Sequence, residues 1–154
     1  MNSCTILEKI ASREANYRPL PSLELAGTGK AYAMKCEEGL FLVPDPDGFR
    51  LIDQTADTVY SKDRLPLPSC SLDGWHADLA LAPGFVVPCD FTNNAIVLDG
   101  TKYEVQIGQI RPGSYLVTGS KDGFVFVLDV SRFLLYGIIR GTVIGGYVRN
   151  MPQN

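Results

Sequence analysis

From Leu23 onward, hydrophobic and polar positions follow one another in short runs with the period of strands. Lys102-Tyr103-Glu104-Val105-Gln106-Ile107 alternates cleanly, and Lys30–Cys36 does so weakly. Leu40–Val43, Phe49–Ile52, Phe85–Val87, Ala95–Leu98, Ser114–Thr118 and Phe124–Leu128 are nearly unbroken apolar runs and read as buried strands. Only residues 5–15 predict a helix of any length. Thr5 and Glu8 have capping-box spacing, and Ile6, Leu7, Ile10 and Ala11 share one face. Pro19 and Pro21 end that segment, because proline cannot continue a helix. Residues 53–84 are poor in apolar runs, contain Pro66, Pro68 and Pro83, and allow a short helix near Asp78–Leu81.

The apolar segment Phe133–Val148 carries Gly137, Gly141 and Gly145 at the small-residue spacing of packed membrane helices. Arg132 and Arg140 argue against a membrane span, since a charge at that depth is costly. In a soluble helix each glycine would cost about 1 kcal/mol relative to alanine. Two strands joined around Arg140-Gly141 fit better, with Gly145-Gly146 at a bulge or a close backbone approach.

Asp-Gly pairs at 47–48, 73–74, 99–100 and 122–123 mark turns. Hairpin turns require positive φ, which glycine adopts freely and aspartate tolerates. The near-regular spacing hints at a repeat, but the flanking residues do not match. The pattern predicts one globular domain over 1–154, with an N-terminal helix and Pro-containing linker (1–22) and a β-rich body (23–150). The expected fold is mainly β: a mostly antiparallel, hairpin-rich sheet of about eight to ten strands curled into a barrel or sandwich.

Composition adds constraints on partners. The chain has 154 residues, 45% hydrophobic and 20% charged, which suits a packed globule. Its net charge of −3 argues against nucleic-acid binding, which draws on a basic surface. Cys4, Cys36, Cys70 and Cys89 form no Cys-x-x-Cys pair, so zinc-ribbon and thioredoxin-type sites are excluded. The first residues lack the basic-then-apolar pattern of a secretory signal. The expectation is a cytoplasmic protein with free thiols.

Several motifs fail on inspection. Ala26-Gly27-Thr28-Gly29-Lys30 lacks the first glycine and the hydroxyl of a phosphate loop, since Glu24 and Ala31 stand there. Asp45-Pro46-Asp47-Gly48 lacks EF-hand ligands, because Val43 and Gln54 would occupy positions 1 and 12. Asp90 followed by Glu104-Val105-Gln106 lacks the lysine of a nuclease site. No metal or cofactor is implied.

Two features carry more chemistry. His76, the single histidine, lies among Asp73, Asp78 and Asp90, a set suited to general-base catalysis in a small hydrolase with His76, Asp78 and Asp90 as catalytic residues. Ser69 and Ser71 are near in sequence but sit in no nucleophile elbow. The second feature is the absence of lysine and arginine between Leu65 and Thr101. That stretch holds Asp73, Asp78, Asp90 and Asp99 with Trp75, Phe85 and Phe91. An acidic face with aromatics suits a basic protein partner, where charge steers encounter and aromatics supply affinity.

Arg111–Val117, Asp122–Val127 and Ile138–Gly145 together resemble the closing strands of LexA-type repressor and self-cleavage domains. The Gly-Asp-Ser-Met nucleophile segment and later lysine of that family are missing, so the resemblance implies a β fold and no catalytic residue. The leading expectation is a non-enzymatic protein-binding module of inhibitor, immunity or assembly type. It would use Asp73, Trp75, Asp78, Asp90, Phe91 and Asp99, with room for a homo-oligomer and none for a membrane. The alternatives are the His76 hydrolase, a ligand-binding β-barrel and a LexA-like regulatory domain without its catalytic motif.

Overall fold

The computed structural model describes residues 22–25, 29–32, 34–45, 48–66, 68–82, 85–119, 123–139 and 142–150. The helix expected at 5–15 lies outside the described residues. Those residues form fourteen strands, more than the eight to ten expected: β1 (Ser22–Leu25), β2 (Gly29–Tyr32), β3 (Met34–Glu37), β4 (Leu40–Asp45), β5 (Gly48–Asp53), β6 (Thr58–Tyr60), β7 (His76–Ala82), β8 (Phe85–Thr92), β9 (Ala95–Leu98), β10 (Thr101–Arg111), β11 (Ser114–Gly119), β12 (Phe124–Asp129), β13 (Leu134–Ile139) and β14 (Thr142–Asn150).

Strands β7 to β14 run up and down, each antiparallel to the next, and close into an eight-stranded barrel through β14 pairing with β7. Strands β3 to β6 form a separate antiparallel sheet in sequence order, and β1 pairs with β2. The barrel is the expected curled sheet, built as a simple meander.

Period two decides what faces inward. In β7, Ala77 and Leu79 are buried; in β8, Val87, Cys89 and Phe91 are buried. Asp78 and Asp90, on the opposite face, remain partly accessible. The helix expected near Asp78–Leu81 is therefore corrected to a strand, paired on both sides by β8 and β14. The barrel interior is filled by side chains. Phe124 stacks on Phe126 with centroids 5.1 Å apart, and Tyr103 meets Phe124 edge-on at 5.9 Å. Among the described residues no helix is long and apolar enough to cross a membrane.

Strand β12 is buried at every position, which explains its unbroken apolar run. Phe124, Phe126 and Leu128 belong to the barrel core. Val125 and Val127 join Leu116 and Ile138 beneath the four-stranded sheet, packing against Met34, Cys36, Leu40, Leu42, Phe49 and Leu51. One barrel wall is thus a shared layer between two cores.

Strands β13 and β14 pair antiparallel up to Ile139 opposite Thr142, as the two-strand reading expects; residues 140–141 themselves lie outside the described residues. The glycines serve close approach. A Cβ on Gly137 would lie 2.5 Å from the Phe126 ring, and one on Gly146 would lie 2.2 Å from the Asp78 carbonyl oxygen. Gly146 thereby lets β14 seat against β7 at the closing seam.

The Asp-Gly pairs divide. Asp99-Gly100 forms the β9–β10 hairpin with φ of 48° and 84°, the left-handed pair that its chemistry predicts. Of the 47–48 and 122–123 pairs, the aspartates lie outside the described residues; Gly48 opens β5 with φ of 130° and Gly123 precedes β12 with φ of 66°. Asp73-Gly74 instead turns the chain into β7, and Trp75 N–H closes that turn on the Leu72 carbonyl at 3.0 Å. These sites are not equivalent units of a repeat. Residues 70–75 cover one end of the barrel, where Leu72 is buried in the core and Cys70 and Trp75 pack beside it. Cys36 and Cys89 are buried free thiols, as expected, and Cys70 is half-buried and free.

Candidate functional site

The basic-free stretch folds into one wall of the barrel, centred on β8. The register sets His76 opposite Asp90 and Asp78 opposite Pro88. The Asp73-Gly74 turn is tied to this strand by Gly74 N–H donating to the Phe91 carbonyl at 3.0 Å. The Asp99 turn is tied to it by Asp99 N–H donating to the Pro88 carbonyl at 3.3 Å. All four aspartates therefore border a stretch of β8 roughly 10 Å long, at the strand rise of about 3.3 Å per residue.

Side chains on this wall form a charge network. His76 Nδ1 lies 2.6 Å from Asp90 Oδ1. Arg149, from β14, donates through Nε to Asp78 Oδ2 at 3.1 Å, and its Nη2 sits 3.7 Å from Asp90 Oδ1. Arg149 thus bridges two aspartates that the register leaves on neighbouring strands. The network is open to solvent: His76, Asp90 and Arg149 are 41%, 42% and 44% exposed. Tyr147, opposite Asp78 on β14, is 58% exposed, and Val86 is 53% exposed.

The aromatic part of the expected face is placed differently. Phe91 follows Asp90 in a strand, so it points inward and is buried in the barrel core. It cannot meet a partner. Trp75 is half-buried against the same core, 6.5 Å from the Tyr115 ring. Among the described residues Tyr147 is the exposed aromatic on this wall, and sequence reading missed it because it arrives from β14. As for the hydrolase set, His76 and Asp90 are joined, while Asp78 is held by Arg149. Among the described residues no hydroxyl or thiol is bonded to the imidazole. Ser71 Oγ accepts from Asp73 N–H at 3.2 Å, and Cys89 is buried, with its thiol pushed far above the ordinary range by desolvation. No group of three or more His, Cys, Asp or Glu side chains among the described residues is placed to hold a metal.

A second charged cluster, unmarked by any motif, joins the four-stranded sheet to the barrel. Arg111, at the end of β10, donates to the Glu38 carbonyl at 2.8 Å and to Asp53 Oδ1 at 2.7 Å. Ser114 donates to Glu37 Oε2 at 2.6 Å. Asp129 accepts from the Ser131 hydroxyl at 2.7 Å, from the N–H groups of Ser131 and Arg132 at 3.2 Å, and from Arg132 Nε at 2.6 Å. Arg132 also donates to the Cys36 carbonyl. Burial pushes the Asp129 carboxyl up, but the hydrogen bonds from Ser131 and Arg132 outweigh it and hold it below its ordinary value. Burial raises the nearby Tyr136 phenol. An Asp-x-Ser sequence signals a capped turn; that this turn also anchors another sheet is invisible without the fold.

Comparison with protein-family models and with curated proteins finds no match for this chain.

Proposed function

We propose that the protein is a non-enzymatic protein-binding module whose recognition surface is the β8 wall, with a basic protein segment as partner. The observation that carries this reading is the gathering of Asp73, Asp78, Asp90 and Asp99 around one short stretch of β8, with a single arginine, Arg149, among them. Such a surface steers a basic partner into encounter, and exposed Tyr147 and Val86 supply apolar contact area beside the charges. The filled barrel interior favours an outer-surface role over a ligand held inside.

The test is affinity purification of a partner, followed by a titration with the quadruple variant Asp73→Lys, Asp78→Lys, Asp90→Lys, Asp99→Lys. Affinity should fall by well over tenfold, and binding to the native chain should weaken as salt rises. A variant that melts like the native chain yet binds the partner equally well ends this reading.

The 2.6 Å contact between His76 and Asp90 favours a second reading, a small hydrolase in which Asp90 orients the imidazole as general base. Hydrolase turnover that survives His76→Ala would remove it.

A further inference from the structure

Strand β10 is much longer than its neighbour β9, so the barrel seam between them is left open past Glu104. Two segments cover the opening. The Asn94 carbonyl accepts from Val105 N–H at 3.0 Å. Further along, Cys70 N–H donates to the Ile107 carbonyl at 3.1 Å and Gln109 N–H donates to the Pro68 carbonyl at 3.0 Å, around a bridge between Ser69 and Gly108. Between Asn94 and Cys70 lies a cavity of about 340 Å³.

The backbone of β10 faces this cavity. In a strand, the N–H and C=O of one residue point to the same side. Val105 N–H and Ile107 C=O are both engaged on the seam side, so Val105 C=O and Ile107 N–H point there too. Neither has a hydrogen-bond partner among the described residues. They flank Gln106 as a donor and an acceptor, the arrangement that one residue of an added strand satisfies with its own N–H and C=O. The rest of the lining is uncharged: Leu65, Ile107 and Leu116 provide an apolar surface, and Ser69, Asn94 and Gln106 provide neutral polar groups.

We propose that this seam cavity binds a small, uncharged ligand the size of a single capped amino acid, held through the N–H and the C=O of its one extended residue. Its volume sits at the small end of ligand clefts, which run from about 300 Å³ upward. The ligand donates the N–H of its first amide to Val105 C=O, the carbonyl of its second amide accepts from Ile107 N–H, and its side chain rests on Leu65 and Leu116. A carboxylate ligand is disfavoured, because among the described residues no cation lines the site to offset its desolvation.

The experiment is a ¹⁵N-resolved titration of the full chain with N-acetyl-leucine amide, with N-acetyl-leucine as the charged control. A probe this small should bind with a dissociation constant on the order of millimolar. Saturable shifts of the Gln106 and Ile107 amides are expected, at least about tenfold weaker with the carboxylate. Ser69→Trp, an exposed position at the cavity rim, should abolish the shifts while the protein still melts normally. Hydrogen exchange on the unmodified chain is the second measurement: Ile107 N–H should exchange faster than the bonded amides of Val105 and Gln109. No saturable shift with the neutral amide, an undiminished response in a folded Ser69→Trp protein, or a protected Ile107 amide would each overturn the proposal.

Discussion

Two ion networks lie on different parts of the same barrel, and burial separates them. At the sheet–barrel seam, the carboxylates of Asp53 and Asp129 are 4% and 2% exposed. On the β8 wall, His76 and Asp90 are about ten times as open. Distances alone would not distinguish them, since His76–Asp90 and Arg132–Asp129 are both 2.6 Å contacts. In the seam, removing one partner leaves a buried charge that water cannot reach. On the wall, water replaces whichever partner leaves. The first network is buried between sheet and barrel, and the second keeps its charges open to solvent.

The largest break in this contrast should come from Arg111→Ala, which leaves the buried Asp53 carboxylate without its cation and with only the Ala56 N–H, 3.1 Å away, as donor. A loss of about 3 kcal/mol is expected, read from the denaturant midpoint. Asp129→Ala follows, at about 2–3 kcal/mol, because two backbone N–H groups and the Arg132 guanidinium lose their acceptor.

Acid sharpens the comparison further. Asp129 has a lowered pKa in the folded state, so its contribution is complete above the unfolded value of about 3.9. That contribution is lost as pH falls through the lower folded value. Stability measured below about pH 4 should therefore drop more steeply in the native chain than in Asp129→Asn. The raised Tyr136 phenol acts at the other extreme: its contribution is present below the usual tyrosine range of about 10 and fades as pH climbs through the folded value.

The smallest effects belong to the wall. Arg149→Ala and His76→Ala should each change stability by less than about 1 kcal/mol. A double-mutant cycle between Arg149 and Asp78 should return a coupling of about 0.2–1 kcal/mol. A larger coupling would put the wall in the same class as the seam and undo the distinction.

How much of this was readable in the chain depends on whether the signal is local. The Asp99-Gly100 hairpin follows from two adjacent residues, and the division of the last apolar run into β13 and β14 follows from its glycines and arginine. The strand at His76–Ala82 was obscured by alanines, whose propensity points to helix; its alternation of buried and open positions emerges only between two partners. Neighbours in a strand face opposite ways, so the alternation of β8 already separates Asp90 from Phe91. The pairing of His76 with Asp90, Arg149's place between two aspartates, and the Arg111–Asp53 contact join residues far apart in sequence. Register and closure create them, and no spacing rule announces them.

Closure also has a consequence for folding order. The ladder between β7 and β14 joins the first and last strands of the barrel, with Gly146 seated on the Asp78 carbonyl. Contacts of such wide sequence separation are entropically the most expensive to form and slow a β-barrel's folding. Until that ladder zips, β7 and β14 are both open edges able to pair with other chains. Arg149 reaches Asp78 and Asp90 only across this ladder. A probe that requires those three side chains together therefore reports completed barrels, and stays silent on chains still waiting for their last strand.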